Sequence, residues 1–392
     1  MKKNICIVTG SRAEYGLLRN LIKEIDKSKV VNYQLICTGT HLLRKAGNTV
    51  NEILDDGFKI DASVKILSNS SLASDIETCK ATSNCLNKIS KELKKLNPNI
   101  IVLLGDRFEI LASAIAATIL NIPIAHIHGG ETTEGAIDEA FRHSITKMSF
   151  LHFVAAERYK NRVIQLGEHS SRVFNVGGMG IDAIKNIKLF SKSYLESKFS
   201  FIKDSKYLMI TFHPETLDKT NQVRQLENLF AALQEFSDLK LIFTSSNVDT
   251  GGEEINNHII SFTKNNENAY FFKSLGQKLY FSLMNFSSGV VGNSSSGILE
   301  APYFDIGTVN IGDRQKGRLM STSVTSVKPR KAPIKKAIKI MLSQDYKGKN
   351  QINSDKYPFG NGGASKKITS ILVKKLMSQK DICLKKKFYD IL

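Results

Sequence analysis

The stretch NICIVTGSRAEYG, residues 4–16, places a short apolar run before a Thr-Gly-Ser turn and a helical pattern that begins with a cation. An apolar run that stops at a small-residue turn and gives way to a helix is typical of a parallel α/β sheet. Ser11 is a suitable N-cap for that helix. The position of Arg12 allows two interpretations: the turn is only a capped helix start, or it is a phosphate-binding site.

The same pattern recurs along the chain: apolar runs end at small or polar residues. The first series is NICIVTGS (4–11), YQLICTGT (33–40), NIIVLLGD (99–106) and IPIAHIHGG (122–130). The second is YLMITFHPE (207–215), LKLIFTSSN (239–247), GVVGNSSSG (289–297) and GTVNIGDRQ (307–315). Continuous apolar runs separated by helical patterns, such as 108–120, predict parallel sheets covered on both faces. We therefore expect two doubly wound α/β halves, joined near residues 173–186.

Ligands bind at the carboxyl ends of the strands in open parallel sheets. The polar residues that interrupt the apolar runs all lie at such ends. Two sheets that face one another would form a cleft with chemically active groups on both rims. This arrangement is the central spatial expectation from the sequence.

Length and composition agree with a two-domain globular protein. The chain has 392 residues, of which 42% are hydrophobic, and its formal net charge is +18. Three explanations of that charge stay open: a compositional bias towards lysine, an anionic substrate, and nucleic acid. The lysines are spread out, which favours the bias, and the run Lys385–Lys387 is expected to be solvated.

The cysteines and the apolar segments indicate a soluble protein of a reducing cytoplasm. No CxxC motif occurs, so disulfides and zinc are not expected. The N-terminal apolar run is too short for a signal peptide, and segment 110–120 is about half a membrane span. The scattered thiols are Cys6, Cys37, Cys79, Cys85 and Cys383.

Acidic residues and a histidine follow two of the predicted strands. Asp106 ends one run, and His128 ends the next, with Glu131 shortly after it. If these strands are parallel neighbours, the three side chains converge, and neighbouring carboxyl groups can serve as acid and base. Asp138 begins the helical pattern DEAFRHSITK and joins this set. The structural alternatives are a cap for Asp106 and an i,i+4 pair with Arg142 for Asp138.

Three further histidines are candidate functional groups. His213 stands at the end of the first strand of the second half, which is a position suited to ligand contact. His126 and His143 lie near His128, but their spacing matches no metal-binding pattern. No metal site is expected.

The second half carries a candidate anion site in GNSSSGILEAP and NIGDRQKGR. Serine hydroxyls and free amides at a helix start bind anions, and arginine binds phosphate with two donors. Plain capping, a solvated basic loop and a solvent-facing Glu300 are the structural alternatives. Glu300, which we place two turns into the helix, is otherwise a candidate acceptor for ribose hydroxyls. The candidate binding residues are Arg12, Ser294, Ser295, Ser296, Gly297, Glu300 and Arg314, with Lys316 and Arg318 nearby.

Taken together, these motifs resemble the hydrolysing UDP-N-acetylglucosamine 2-epimerases of bacterial sialic acid synthesis. The resemblance covers roughly residues 3–320 and rests on the order of seven segments: TGSRAEYG, LLGDRFEI, HIHGGE, DEAFRHSITK, FHPET, GNSSSGILEAP and NIGDRQKGR. The related non-hydrolysing enzymes usually read EAGLR where this chain has His128-Gly129-Gly130-Glu131. GGE and RHSITK are therefore similar to the hydrolysing branch.

The resemblance implies a GT-B fold with two Rossmann-like domains. The corresponding boundaries are 1–177 for the domain with the acidic rim and 178–365 for the UDP-binding domain. Residues 366–392 would then form a helix and tail that pack back on the first domain. It also implies chemistry without metal or nicotinamide, a UDP-sugar substrate, no nucleic-acid or membrane partner, and a homo-dimer or homo-tetramer.

The resemblance also implies residue roles. UDP would leave C1 while a base removes the C2 proton, and the resulting 2-acetamidoglucal would take up water to give N-acetylmannosamine. Asp106, Glu131 and Asp138 are the implied proton-transfer groups, and His213 would support the phosphate. The implied diphosphate ligands are Arg12, Ser294–Ser296 and Arg314. Many relatives have glutamate in place of His128, so either His128 or Glu131 takes that role.

Four other functions remain open from the sequence. A close variant acts on a UDP- or GDP-linked 2,4-diacetamido-2,4,6-trideoxy sugar of the legionaminic acid type. A non-hydrolysing epimerase would release UDP-N-acetylmannosamine. A GT-B glycosyltransferase would need an acceptor site, and the acidic rim argues against it. The fourth is a non-enzymatic binder of a nucleotide sugar or of nucleic acid, and binding to a phosphate backbone would weaken steeply with salt.

Overall fold

The structure is a computed structural model that describes residues 2–67, 74–134, 136–214, 222–246, 251–343, 358–378, 382 and 384–391. The chain divides into two compact units, each with its own buried core. The first unit comprises Met1–Glu131, Asp138–Ala183 and Phe359–Leu392, and the second comprises Thr132–Ile137 and Ile184–Pro358.

The first unit is built on a parallel sheet. Its strands are β1 (Lys3–Thr9), β2 (Val31–Thr38), β3 (Ala62–Val64), β4 (Ile100–Leu104), β5 (Ile124–Ile127), β6 (Leu151–Val154) and β7 (Val173–Asn175). Its helices are α1 (Arg12–Asp26), α2 (Val50–Asp55), α3 (Asp75–Leu96), α4 (Phe108–Ile119), α5 (Asp138–Met148) and α6 (Glu157–Gln165). The seven strands run in the order β3-β2-β1-β4-β5-β6-β7. Helix α7 (Met179–Lys185) spans the junction with the second unit.

The central strands of this sheet are apolar because helices cover both of their faces. All five residues of β4 are buried, and two separate apolar clusters lie on the two sides of the sheet. Alternation between an exposed and a buried face is not required in such a strand. The predicted α/β class with parallel sheets is therefore confirmed, and the carboxyl ends of β4 and β5 lie side by side.

The second unit repeats this plan with a smaller sheet. Its strands are β8 (Tyr207–Thr211), β9 (Lys240–Thr244), β10 (Ala269–Phe272), β11 (Gly289–Gly292), β12 (Thr308–Ile311) and β13 (Val324–Val327). Its helices are α8 (Lys192–Lys198), α9 (Gln222–Leu233), α10 (Gly252–Lys264), α11 (Gly276–Phe286), α12 (Ser296–Leu299) and α13 (Lys331–Ser343). The six strands run in the order β10-β9-β8-β11-β12-β13 and are parallel. Short 3-10 turns occupy Gly39–Leu42, Arg44–Ala46, Ser170–Arg172, Ser200–Ile202 and Ala301–Phe304.

The last described part of the chain returns to the first unit. Helix α14 (Ala364–Ser378) buries Ile368 and Leu372 in the apolar cluster that contains Ile5. The following segment, residues 384–391, is anchored by Lys386. Its ammonium group donates to the carbonyl of Ser149 (2.8 Å) and to the carboxylate of Glu168 (2.7 Å).

The expectation that the run Lys385–Lys387 is solvated is therefore wrong for its middle residue. The side chain of Lys386 is only 20% exposed, because it reaches the fully buried carboxylate of Glu168. The aliphatic part of a lysine side chain can be buried in this way when its ammonium group pairs with an opposite charge. Lys385 and Lys387 are exposed, as expected.

The cysteines of the described residues are free thiols. Cys6, Cys37 and Cys85 are buried and Cys79 is exposed, while Cys383 lies outside the described residues. Burial raises the pKa of the Cys37 and Cys85 thiols to about 12. Across the part of the chain that the structure describes, no helix is both long and apolar enough to cross a bilayer.

Candidate active site

Arg142 is the centre of a charged cluster at the carboxyl ends of β4 and β5. It lies one turn into α5, is 2% exposed and forms an ion pair with Asp106, which follows β4. Its Nη1 donates to the carbonyl of His128 (3.1 Å) and lies 3.9 Å from Oε2 of Glu131. Burial alone would lower the pKa of Arg142, but the charges of Asp106 and Glu131 raise it. One buried guanidinium thus joins three of the predicted residues.

His128 adopts an uncommon backbone conformation in this cluster. Its φ is +67°, in the left-handed region that non-glycine residues rarely enter. The ring Nδ1 lies 3.1 Å from Oε1 of Glu131, and both side chains are buried. Such conformations persist only where the surroundings hold them, and they concentrate at functional sites.

Asp138 is the first residue of α5, one turn before Arg142. Together with Glu139 it adds negative potential at the Arg142 guanidinium. From the sequence, an i,i+4 ion pair between Asp138 and Arg142 was the structural alternative to a catalytic role for Asp138. Arg142 also reaches Asp106 and Glu131, and the charge of Asp138 acts on the same guanidinium.

Arg12 begins α1, and Ser11 caps that helix. The Ser11 hydroxyl accepts a hydrogen bond from the Glu14 amide (3.3 Å), as the sequence predicts. Nε of Arg12 lies 2.8 Å from a carboxylate oxygen of Glu52. An anion bound at this helix start would therefore compete with Glu52 for Arg12.

Two glutamates that the sequence analysis did not single out lie against the same turn. Glu14 accepts a hydrogen bond from the Gly10 amide (2.7 Å), and a Cβ on Gly10 would lie 2.4 Å from Oε1 of Glu109. Nε of Arg107 lies 3.0 Å from Oε1 of Glu109 and 3.9 Å from Oε1 of Glu14. Burial, followed by the charge of Glu109, raises the pKa of Glu14 to about 8. Glu14 stands three residues after Ser11, in the spacing of a capping box, whereas Glu109 is distant in the sequence and only the fold brings it to Gly10.

In the second unit, Asn293 ties the end of β8 to the loop after β12. Its side chain accepts from the His213 amide (2.7 Å) and donates to the His213 carbonyl (2.8 Å). Its own carbonyl accepts from Arg314 (3.2 Å) and Gln315 (2.9 Å). Asn293 lies in the segment GNSSSGILEAP and Gln315 lies in NIGDRQKGR, but neither was predicted to be a functional residue.

His213 is held as a neutral imidazole. Burial, reinforced by the positive charge of Arg314, lowers its pKa well below the ordinary value. Its Nδ1 lies 3.4 Å from the Ser246 hydroxyl. A neutral imidazole beside a guanidinium can donate a hydrogen bond to an anion without carrying a charge of its own.

The helix that follows the serine turn is shorter than predicted. Helix α12 has four residues, and the amide of Ser296 donates to the Ser294 hydroxyl (3.4 Å). Within this described segment, Ser295 is the N-cap but makes no side-chain capping hydrogen bond. The Gly297 carbonyl accepts from the Thr308 hydroxyl (2.7 Å), which fixes the turn to β12.

The expectation for Glu300 needs correction. Because α12 ends at Leu299, Glu300 is its C-cap and does not lie two turns into the helix. The residue is buried, so the solvent-facing alternative is wrong as well. Tyr280 lies close by: burial raises its pKa to about 12, with a hydrogen bond from Ser296 opposing this effect and the charge of Glu300 adding to it.

Among the described residues, no three side chains of His, Cys, Asp or Glu lie together as metal ligands would. His126 instead contacts the carbonyl of Gly105 (2.8 Å) and the hydroxyl of Thr146 (3.1 Å). Burial lowers its pKa to about 3. His143 contacts Glu139 on its own helix (3.0 Å).

The fold is shared with solved enzymes of the GT-B type. A crystal structure of the UDP-N-acetylglucosamine 2-epimerase of Neisseria meningitidis, bound to UDP-N-acetylglucosamine, matches with a TM-score of 0.80 at 21% identity. The match covers 95% of this chain and 100% of that one. The two parallel α/β sheets therefore have the GT-B type of fold.

Sequence comparisons narrow this class to a family. The family model described as UDP-N-acetylglucosamine 2-epimerase matches residues 23–373, and the chain belongs to that family. It is 43% identical over 326 residues to the GDP/UDP-N,N'-diacetylbacillosamine 2-epimerase (hydrolyzing) of Campylobacter jejuni, covering 82% of this chain and 84% of that protein. It is 39% identical over 392 residues to polysialic acid biosynthesis protein P7 of Escherichia coli, covering 99% and 98%.

Proposed function

We propose that this enzyme is a hydrolysing 2-epimerase that converts UDP-N-acetylglucosamine and water to N-acetylmannosamine and UDP. The observation that carries the proposal is the buried cluster in which Arg142 joins Asp106 to Glu131. Two carboxylates held near one cation, with a histidine beside them, can move protons in both directions. The likeness to a hydrolysing 2-epimerase over most of the chain supports the same reaction.

In the proposed first step, a base takes the proton from C2 of the sugar. The electrons of the C2–H bond form the C1=C2 double bond, and the C1–O bond breaks to release UDP. In the second step water adds across the double bond of the 2-acetamidoglucal. Its hydroxyl goes to C1, and C2 receives a proton on the opposite face. We assign these transfers to Asp106, Glu131 and Asp138, with His128 as partner of Glu131.

The elimination depends on stabilising the leaving diphosphate, because the C2 proton is only weakly acidic. Preorganised donors aimed at a developing charge supply this kind of help. We assign it to a set of cations, hydroxyls and amides, with neutral His213 as a further donor and Glu300 as the acceptor for the nucleoside hydroxyls. The assigned diphosphate ligands are Arg12, Ser294, Ser295, Ser296, Gly297 and Arg314.

A second substrate is favoured by a specific observation. The relative from Campylobacter jejuni is named for N,N'-diacetylbacillosamine linked to GDP or UDP, and it is 43% identical. A UDP- or GDP-linked 2,4-diacetamido-2,4,6-trideoxy sugar undergoes the same elimination, because its C1 and C2 are unchanged. We therefore propose it as the alternative substrate.

The biological setting forms part of the proposal. The likeness to a polysialic acid biosynthesis protein over 99% of the chain supports a role in supplying the precursor of a nonulosonic acid. We propose that the enzyme works in the cytoplasm, without a cofactor, as a homo-dimer or homo-tetramer.

The experiment that tests this function is NMR of the reaction in deuterium oxide. Each proposed nucleotide sugar is offered separately. We expect one of them to give the free nucleoside diphosphate and a 2-epimeric sugar that carries deuterium at C2. A product that retains the C2 proton would contradict the elimination. Release of an intact UDP-linked 2-epimer would show a non-hydrolysing enzyme.

Asp106→Asn tests the carboxylate assignment. We expect kcat to fall roughly 100- to 10,000-fold, because a general acid–base group is lost, while UDP affinity stays near that of the wild type. Asp26→Asn, an exposed substitution at the end of α1, is the control. A collapse of UDP affinity in Asp106→Asn would show that Asp106 is structural.

A further inference from the structure

Six residues separate Glu131 from Asp138, and they belong to a different unit from the residues on either side. Glu131 ends one piece of the first unit and Asp138 begins the next, whereas Thr132–Ile137 clusters with the second unit. We call Thr132–Ile137 the 132–137 segment. A contact with this segment therefore lies on the backbone between two proposed proton-transfer residues.

Arg318 is the residue that holds the start of this segment. Its Nε donates to the carbonyl of Thr132 (2.9 Å), and its Nη2 donates to the hydroxyl of Thr133 (3.2 Å). Both threonines are more than 90% buried. A guanidinium presents these donors in a fixed fork, so the two bonds define an orientation as well as a distance.

Gly317 brings the two stretches of backbone together. Its φ is +83°, and a Cβ at this position would lie 2.6 Å from Oγ1 of Thr132 and 2.7 Å from Oε1 of Glu134. Such distances leave no room for a side chain. Nζ of Lys316 also lies 3.8 Å from Oε2 of Glu134, on the exposed side of the contact.

The loop that carries Arg318 is the one that carries Arg314. Within it the amide of Lys316 donates to the Asp313 carbonyl (2.8 Å), and Gln315, which is 1% exposed, donates to the Asn293 carbonyl (2.9 Å). Asn293 in turn pairs with the His213 backbone in both directions. The Arg318 amide donates to the Gln315 carbonyl (3.3 Å), so hydrogen bonds link His213 through Asn293, Gln315 and Arg318 to Thr132, the residue that follows Glu131.

We propose that Arg318 is a positioning residue that holds the 132–137 segment and thereby sets the placement of Glu131 and Asp138 for proton transfer. This inference rests on the proposed function of those two acids. Arg318 acts on the backbone between them and is not assigned to the diphosphate. Its removal should change turnover and leave nucleotide affinity intact.

The first test measures hydrogen exchange in the free protein and needs no activity. In Arg318→Ala, peptides that cover residues 130–138 should exchange roughly tenfold faster than in the wild type, because two hydrogen bonds to the segment are lost. Arg330→Ala, an exposed arginine of the same unit, should leave these peptides unchanged. Unchanged exchange in Arg318→Ala would overturn the proposal.

The second test separates positioning from binding. We expect Arg318→Ala to lower kcat roughly 10- to 100-fold, the effect of a displaced catalytic group, with KM and the Kd for UDP within about twofold of wild type. Arg318→Lys should recover part of kcat, since one donor can still reach the Thr132 carbonyl. Weaker UDP binding with unchanged kcat would make Arg318 a diphosphate ligand and refute the proposal. A wild-type enzyme inactive on both sugars would contradict the proposed function, while hydrogen exchange would still decide the role of Arg318.

Discussion

At the scale of single residues, Gly10 is the point where two buried carboxyl groups meet the start of α1. Glu14 accepts from its amide, and Glu109 packs so closely against its Cα that no side chain fits. Arg107 is the cation that lies beside both carboxyl groups. Two carboxylates that share one nearby cation in a buried site favour retention of a proton on one of them.

We predict that Glu14→Gln removes a pH dependence of stability. The pKa of Glu14 is raised to about 8 from an ordinary value of 4.5, so the folded state holds this proton more tightly than the unfolded state. Its stabilising contribution is complete below pH 4.5 and is lost as the pH rises through about 8. In urea unfolding at several pH values, the wild type should lose more stability between pH 5 and pH 8 than Glu14→Gln.

Glu24→Gln on the same helix is the matched control for this measurement. Glu24 forms a surface i,i+3 pair with Lys27 (2.7 Å), and its substitution should keep the wild-type slope. Equal slopes for the wild type and Glu14→Gln would show that Glu14 does not titrate in this range.

The cluster around Arg142 shows which contacts between single residues can be predicted from the sequence and which cannot. The convergence of Asp106 and Glu131 follows from the strand order and is confirmed, although their catalytic roles stay a prediction. The part of Arg142 could not be predicted, because helix spacing relates it only to Asp138. Its other partners come from a neighbouring strand end, which sequence periodicity does not report.

At the scale of elements, a long continuous apolar run decides which strands can be recognised in the sequence. β4 reads IIVLL and is buried throughout, so its end was placed correctly. β3, β10 and β13 lie at the edges of their sheets, are short, and were not predicted. β6 was missed as well: all four of its residues are buried, but its run LHFV is short and contains His152. An edge strand needs no continuous apolar run, because one side of it faces solvent or loops.

The segment 384–391 illustrates the same limit, because no sequence pattern marks its contacts: Lys386 reaches Glu168, and the Tyr389 amide donates to the Gly167 carbonyl (3.0 Å). Burial by itself raises the pKa of Glu168, but hydrogen bonds from His152, Lys386 and Lys147 outweigh it and lower the pKa to about 2. A carboxylate with three cations and the ring of His152 within 4 Å is satisfied without water. The ion pairs of this cluster stabilise the segment 384–391 only while Glu168 is ionised.

We predict that Lys386→Ala lowers the free energy of unfolding by roughly 1.5–3 kcal/mol at pH 7, the usual worth of a hydrogen bond to a charged group. The stabilisation from ionised Glu168 is present above its ordinary pKa of 4.5 and is lost as the pH falls towards 2. The difference between variant and wild type should therefore shrink in acid. Thermal unfolding from pH 7 to pH 3 measures it.

Lys385→Ala is the control for this prediction, because the neighbouring lysine is exposed. Its stability should match that of the wild type at every pH. A destabilisation of Lys386→Ala that persists unchanged at pH 3 would show that the aliphatic stem, and not the charge, anchors the segment.

At the scale of the whole molecule, the first unit is assembled from distant parts of the chain. Phe359–Leu392 completes a unit that begins at Met1, and α14 packs against the cluster that contains β1. An amphipathic pattern shows that a helix has an apolar face, but it does not show which core receives that face. The return of the C-terminus was expected only through family resemblance, for this reason.

The discontinuity leads to a prediction about stability. Leu372 is fully buried in the first unit, so Leu372→Ala should lower the stability of that unit by about 2–5 kcal/mol through lost burial and a cavity. The second unit has its own apolar clusters, so its strands should keep their protection. Hydrogen exchange can follow peptides of β1 and β8 separately, with Met377→Ala, which is 53% exposed, as the control. If Leu372→Ala weakened β8 as much as β1, the two cores would unfold as one, and the C-terminal helix would support the whole chain instead of the first unit alone.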